Sequence, residues 1–242
     1  MDSVHGQSGF ATTHWSVVLA AGNQSSPDYT RALSTLCETY WYPLYAYLRR
    51  RGYDRQQAED YTQDFFAGLL QRQGLGKADP QQGKFRSFLL TSLKNFLADE
   101  WGRRRAQKRG GDVKLHPMDA EDGETRYRRE PVDELSPEKL FERSWAQAVL
   151  QRAMVRLKAE LAAANKQRLF DHLKTFLTTE QDAAPYRAAA AALGMTEGAV
   201  KVAVHRLRRH YGQFVREEVA QTVATAEQVD EEIDALYAAL AG

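Results

Sequence analysis

The stretch AAAALGMTEGAVKVAVHRLRRHYGQFV, residues 189–215, decides how this chain is read. A helix of small residues (188–193) stops at Gly194, and Thr196 is placed to cap a second helix just beyond it. Gly supplies the left-handed conformation that closes a helix, and a Thr oxygen satisfies the free amides of the next one. The second helix carries Lys201, His205, Arg206, Arg208 and Arg209, with no acidic residue between positions 201 and 216. Two short helices joined by such a turn, the second one basic, make a helix-turn-helix pattern, in which the second helix enters the DNA major groove. An ordinary helical hairpin with a solvated basic face gives the same pattern, because Gly-capped helix pairs are common. The rest of the chain has to decide between them.

At 242 residues the chain is long enough for one large domain or two small ones. The net charge of +1 hides a strong sorting of charge. Between positions 84 and 109 stand Lys84, Arg86, Lys94, Arg103, Arg104, Arg105, Lys108 and Arg109 against only Asp99 and Glu100. From Glu217 onward there are seven acidic residues and no Lys or Arg. Charge in blocks is a partner signal that an average conceals. The single cysteine, Cys37, has no internal disulfide partner and reads as a small buried hydrophobe in a reducing cytoplasm. No apolar run is long enough to span a bilayer and the N-terminus lacks a signal-peptide core, so a cytoplasmic protein without membrane insertion is expected. The six His are scattered without metal-ligand spacing, and no nucleophile–base pair or phosphate loop appears. No catalytic residue, metal or cofactor is expected.

Ala, Leu, Arg, Gln and Glu dominate while Val and Ile are sparse, which points to an all-α protein. The expected layout is two helical domains joined by a flexible acidic linker. Residues 1–26 form an N-terminal extension containing TTHWSVVLAA, and 27–109 a first helical domain. Residues 110–137, rich in Pro, Gly and acidic side chains, form the linker. Residues 138–216 form the second domain and 217–242 an acidic C-terminal extension.

In the first domain Pro27 and Asp28 open a helix whose apolar residues, from Ala32 through Leu36, Tyr40 and Leu44 to Leu48, recur at three- and four-residue steps. Pro43 is expected to kink or break it. That spacing makes the tyrosines core residues rather than a platform for stacked bases. Gly52 ends the helix and Asp54 caps the next, in which Ala58, Tyr61, Phe65 and Leu69 form one stripe. Glu59, Asp60, Gln63 and Asp64 form its exposed acidic-polar face. The third element, GKFRSFLLTSLKNFLADEWGRRR (83–105), interleaves aromatic and basic residues. Single-stranded nucleic acid binders use that mixture, cations following phosphates and rings stacking on unpaired bases. A solvated basic face beside core aromatics would look the same. In the acidic extension Val219, Val223, Val229, Ile233, Leu236, Tyr237 and Leu240 form an apolar stripe that needs a surface to cover it, and the basic second domain is the nearest electrostatic match.

Three pieces in this order carry a resemblance. AEDYTQDFFAGLL (58–70) resembles the polymerase-binding segment of bacterial RNA polymerase sigma factors. GKFRSFLLTSLKNFLADEWGRRR resembles the promoter-melting segment that follows it, and ALGMTEGAVKVAVHRLRRHY (192–211) the helix-turn-helix of the second conserved domain. Their order and the variable linker are similar to the two-domain extracytoplasmic-function class of these factors. The resemblance covers residues 29–109 and 138–216. It departs from the class at residues 187–190, Arg-Ala-Ala-Ala, where a large apolar residue is usual. The long helical lead-in over 138–177 and the extension after 216 are further departures.

The resemblance implies a non-enzymatic factor that lends promoter specificity to core RNA polymerase. Glu59, Asp60, Gln63, Asp64 and Phe66 would contact the polymerase clamp coiled coil, with the flap as a second contact area. Lys84, Phe85, Arg86, Ser87, Asn95, Trp101, Arg103, Arg104 and Lys108 would hold the melted −10 strand. Thr196, Glu197, Lys201, His205, Arg206 and Arg209 would read the −35 element as duplex. Promoter DNA, double- and single-stranded, is thus an implied partner, and an anti-sigma factor is a further candidate. The alternative is a stand-alone helix-turn-helix transcription regulator, which accounts for the second domain but not for the melting-type segment.

Overall fold

The computed structural model describes residues 16–23, 25–71, 75, 84–106, 120–130, 135–177 and 183–241. Among these residues every regular element is helical, as the composition implies. The order is α1 (Ser16–Gly22), α2 (Tyr29–Arg50), α3 (Arg55–Gln71), α4 (Phe85–Ala106), α5 (Ala120–Tyr127), α6 (Pro137–Ala163), α7 (Gln167–Leu173) with a 3-10 turn (Lys174–Leu177), α8 (Ala183–Leu193), α9 (Glu197–Ala220) and α10 (Ala226–Ala241).

Local chemistry sets the helix ends. Before α3, the Asp54 carboxylate accepts from the Gln57 amide at 2.8 Å and Gln57 Oε1 accepts from the Asp54 amide at 3.2 Å, a reciprocal capping box. Ser136 accepts from the Lys139 amide at 3.2 Å, with Pro137 in the first turn of α6, where its missing N–H costs nothing. Thr196 accepts from the Ala199 amide at 3.2 Å and starts α9. Gly52 closes α2 at φ 92° and Gly194 closes α8 at φ 66°, a region costly for residues with a Cβ. After each glycine the next amide reaches back to close the turn, Tyr53 to the Leu48 carbonyl at 3.2 Å and Met195 to that of Ala190 at 3.0 Å.

α2 is the central element. Tyr40, Leu44, Tyr45, Ala46, Tyr47 and Leu48 are all buried, so this helix is covered on nearly every side. α1, α3, α5 and α6 supply the cover. The helix continues through Pro43, itself buried, rather than breaking there. α6 lays Leu140, Phe141, Trp145, Val149 and Ala153 into the same core, and Phe85 at the start of α4 meets Tyr40 edge-on at 5.4 Å. Cys37 is half-buried, and burial followed by the neighbouring Glu38 charge pushes its thiol up from the ordinary value.

The separation expected at 110–137 is not a separation in packing. Buried residues from both halves form one continuous cluster, because α6 begins directly after that segment and lies along α2. Within the segment expected to be a structureless linker, α5 docks on α2. A Cβ on its Gly123 would stand 3.0 Å from the Trp41 ring, and Glu124 takes the Tyr45 hydroxyl at 2.5 Å and Arg49 at 3.1 and 3.2 Å. The tail forms α10 and buries Val229 and Leu236, with Val219 and Val223 buried ahead of it. Tyr237 stays exposed, although it belongs to the expected stripe, and Glu232 is turned inward.

Candidate nucleic-acid and polymerase interfaces

On α3 the buried stripe (Ala58, Tyr61, Phe65, Leu69) holds the helix against the core and leaves the opposite side to solvent. Asp60 and Asp64 are exposed, while Glu59 and Gln63 are partly so. Arg55 donates to Glu59 at 2.7 Å. Phe66 corrects the expectation. It is buried beside Phe65, at 5.9 Å between ring centroids, and lines an apolar recess with Leu33, Leu36, Leu69, Leu75 and Phe85, so it is not an exposed anchor.

α4 divides its candidates. Phe85 is fully buried and stacks on Phe88 at 6.0 Å, which makes it a core ring and not a platform for a base. Ser87, Thr91 and Asn95, at four-residue steps, are exposed along one side. The cations are engaged. Arg86 lies 4.7 Å over the Trp145 ring, donates to Glu232 at 2.8 and 3.0 Å, and pairs with Glu142. Lys84 stands 3.7 Å from Glu231 and 3.9 Å from Glu232, and Lys94 is 2.9 Å from Glu138. Trp101, Arg103 and Arg104 are on the last turns of α4; their side chains, and Lys108 as a whole, lie outside the described residues.

An open groove of about 730 Å³ runs between the end of α2, the start of α3 and the middle of α4, lined by Arg51, Tyr53, Gln57, Lys94 and Leu97 among others. Arg51 and Lys94 approach the Tyr47 ring at 5.8 and 5.9 Å. The sequence reading did not include Arg51. The basic run at 49–51 ahead of Gly52 was the available signal, but only the fold divides it. Arg49 turns to Glu124, Arg50 donates to the Leu135 carbonyl at 2.6 Å, and Arg51 faces the groove.

On α9 the buried stripe Val200, Val204, Leu207 and Phe214 seats the helix against its neighbours. The opposite side presents Lys201, Val202, His205, Arg206 and Arg209, all exposed. Arg206 and Arg209 make no ion pair among the described residues. Thr196 serves as the cap, and Glu197 is held by Arg187 at 3.1 Å. Arg208, by contrast, donates to the Phe176 carbonyl at 2.9 Å. The candidates around α9 are therefore brought together, and those of α4 only in part. Sequence reading also missed Arg152 and Arg156 on α6, which bind Glu217 and Glu218 at 2.6 to 2.8 Å, while Arg152 reaches Glu38 on α2 at 2.6 Å.

No described helix is long and apolar enough to cross a membrane. No cluster of three or more His, Cys, Asp or Glu suited to a metal occurs among the described residues. Residues 36–107, from α2 through α3 and α4, match the family model described as Sigma-70 region 2. Neither a curated protein nor a solved structure matches the chain. The region 2 match supports a sigma factor family. Region 2 in general binds core RNA polymerase and promoter DNA, and these factors initiate transcription without being enzymes.

Proposed function

We propose that this protein is a sigma factor of the extracytoplasmic-function class, acting in the cytoplasm to direct core RNA polymerase to promoters. The observation that carries the reading is the region 2 match over α2, α3 and α4, within which α3 keeps its acidic side exposed. On this reading residues 27–109 and 138–216 are the two functional units. Glu59, Asp60, Gln63 and Asp64 dock on the basic clamp coiled coil, where complementary charge speeds and orients the encounter. Ser87, Asn95 and the basic end of α4, with Trp101, Arg103, Arg104 and Lys108, receive the unpaired −10 strand, whose unstacking must be offset by ring stacking and phosphate contacts. The α8–α9 pair acts as the helix-turn-helix. Lys201, His205, Arg206 and Arg209 lie along the major groove of the −35 element, in contact with phosphates and guanine edges.

Gel filtration with core polymerase tests the reading. Co-elution is expected, and Asp60→Lys together with Asp64→Lys should weaken it several-fold while the helical circular dichroism is kept. A chain that binds duplex DNA tightly and never co-elutes with polymerase would instead be a stand-alone regulator.

A further inference from the structure

The cations at the start and middle of α4 and the exposed pair Arg206 and Arg209 of α9 are in opposite states. Lys84, just ahead of α4, and each basic residue of α4 whose side chain is described are held by carboxylates from beyond residue 137. These are Lys84 with Glu231 and Glu232, Arg86 with Glu142 and Glu232, and Lys94 with Glu138. The Arg86 and Glu232 side chains are 11% and 3% exposed, so this pair is sealed rather than solvated. Glu232 belongs to α10, which is seated by Val229 and Leu236 and packs on α6 and α9. A guanidinium takes a carboxylate in the same forked geometry in which it takes a phosphate, so the two anions compete for one donor. Arg206 and Arg209 on α9 have no such partner among the described residues.

We propose that α10, with Glu142 of α6, is an internal phosphate mimic that closes the start of α4 to single-stranded DNA while leaving the duplex-reading side of α9 open. The proposal rests on the sigma factor reading of α4. It adds an order of events: duplex contact through α9 is available to the free protein, and strand capture follows only when α10 is lifted from Lys84 and Arg86. The acidic residues thus act where the melted strand would lie, and not only on the basic domain next to them in sequence.

The test uses the full chain and two fluorescent probes of mixed sequence, one single-stranded DNA and one duplex. Glu232→Gln removes the carboxylate shared by Lys84 and Arg86. It should raise affinity for the single strand on the order of tenfold at low salt, with duplex affinity nearly unchanged. Asp234→Asn makes the same charge change at an exposed position on the same helix and should change neither. If it raises single-strand binding as much as Glu232→Gln, the effect is bulk charge and the proposal falls. Should Glu232→Gln fail to fold, Glu231→Gln, at the more exposed partner of Lys84, should still give a smaller rise, and no rise there overturns the proposal. Core polymerase binding of the unaltered chain is measured alongside. Its loss would overturn the sigma factor reading, whereas co-elution with no gain in single-strand affinity for either glutamine variant overturns the masking alone.

Discussion

Arg86 and Arg206 are the same side chain in opposite surroundings, and their replacements should behave differently. Arg206→Ala or Arg209→Ala removes an exposed cation with no ion-pair partner among the described residues, so stability should hold. Duplex affinity should fall and its salt dependence become shallower, by about one unit of log–log slope for each lost phosphate contact, as a titration of anisotropy against salt would reveal. Arg86→Ala would leave Glu142 without its cation and Glu232 with only Lys84 at 3.9 Å, and should lower stability as well. Phe66→Ala separates two roles that sequence alone confuses. Because the ring is buried against Phe65 and the Leu33–Leu69 recess, the change should cost about 3–5 kcal/mol of folding stability in a denaturant titration. A loss of polymerase binding at unchanged stability would return Phe66 to the interface. Asn95→Ala, on the exposed side of α4, should leave duplex binding intact and reduce strand opening, read by permanganate reactivity of unpaired thymines.

At the scale of the element, α5 is held by a carboxylate whose protonation can be controlled. Burial opposes the Glu124 charge, but the Tyr45 hydroxyl and the Arg49 and Arg128 guanidinia outweigh it and hold the carboxyl below the ordinary range. A carboxyl lowered in the folded state stabilises that state above its unfolded value, and the contribution disappears as pH falls through the lower folded value. α5 should therefore come away from α2 in the acid range, and Glu124→Gln should release it at neutral pH. Hydrogen exchange over residues 120–127 would follow both, and unchanged protection in the variant would mean that Trp41 and Tyr127 packing suffices. This element also marks where sequence reading stops. The capping residues Asp54 and Thr196, the stops at Gly52 and Gly194 and the stripe on α3 are written in nearest-neighbour chemistry, and they appear in the structure where the sequence places them. α5 is not legible that way. Eight residues containing a glycine and three acidic side chains have little helical preference of their own, and the helix exists because Trp41, Tyr45 and Arg49 offer it a surface. Phe85 and Phe66 fail for a related reason, since spacing along one helix cannot say which neighbour covers its other side.

For the whole molecule, one core cluster shared by both halves of the chain has a thermodynamic signature. α6 cannot leave α2 without exposing Phe141 and Trp145, so calorimetry of the free protein should give a single cooperative transition instead of two. Two separated transitions would mean that the α2–α6 contact contributes little. The charge blocks of the sequence have their counterpart at this scale. Arg152 and Arg156 of α6 gather Glu38, Glu217 and Glu218, and α10 faces α4, so a near-neutral chain is assembled from charged parts.

Cys37 turns that arrangement into a clock. It is the one thiol in the chain, half-covered in the recess formed by Leu33, Phe66 and Phe85, and a raised pKa keeps its reactive thiolate scarce. An alkylating reagent therefore waits on the protein's own breathing, and its rate, set beside that of the denatured chain, counts how often the α2–α3–α4 seam opens. No engineered label is needed, so the same thiol can time that seam in the protein alone and again in its mixture with core polymerase.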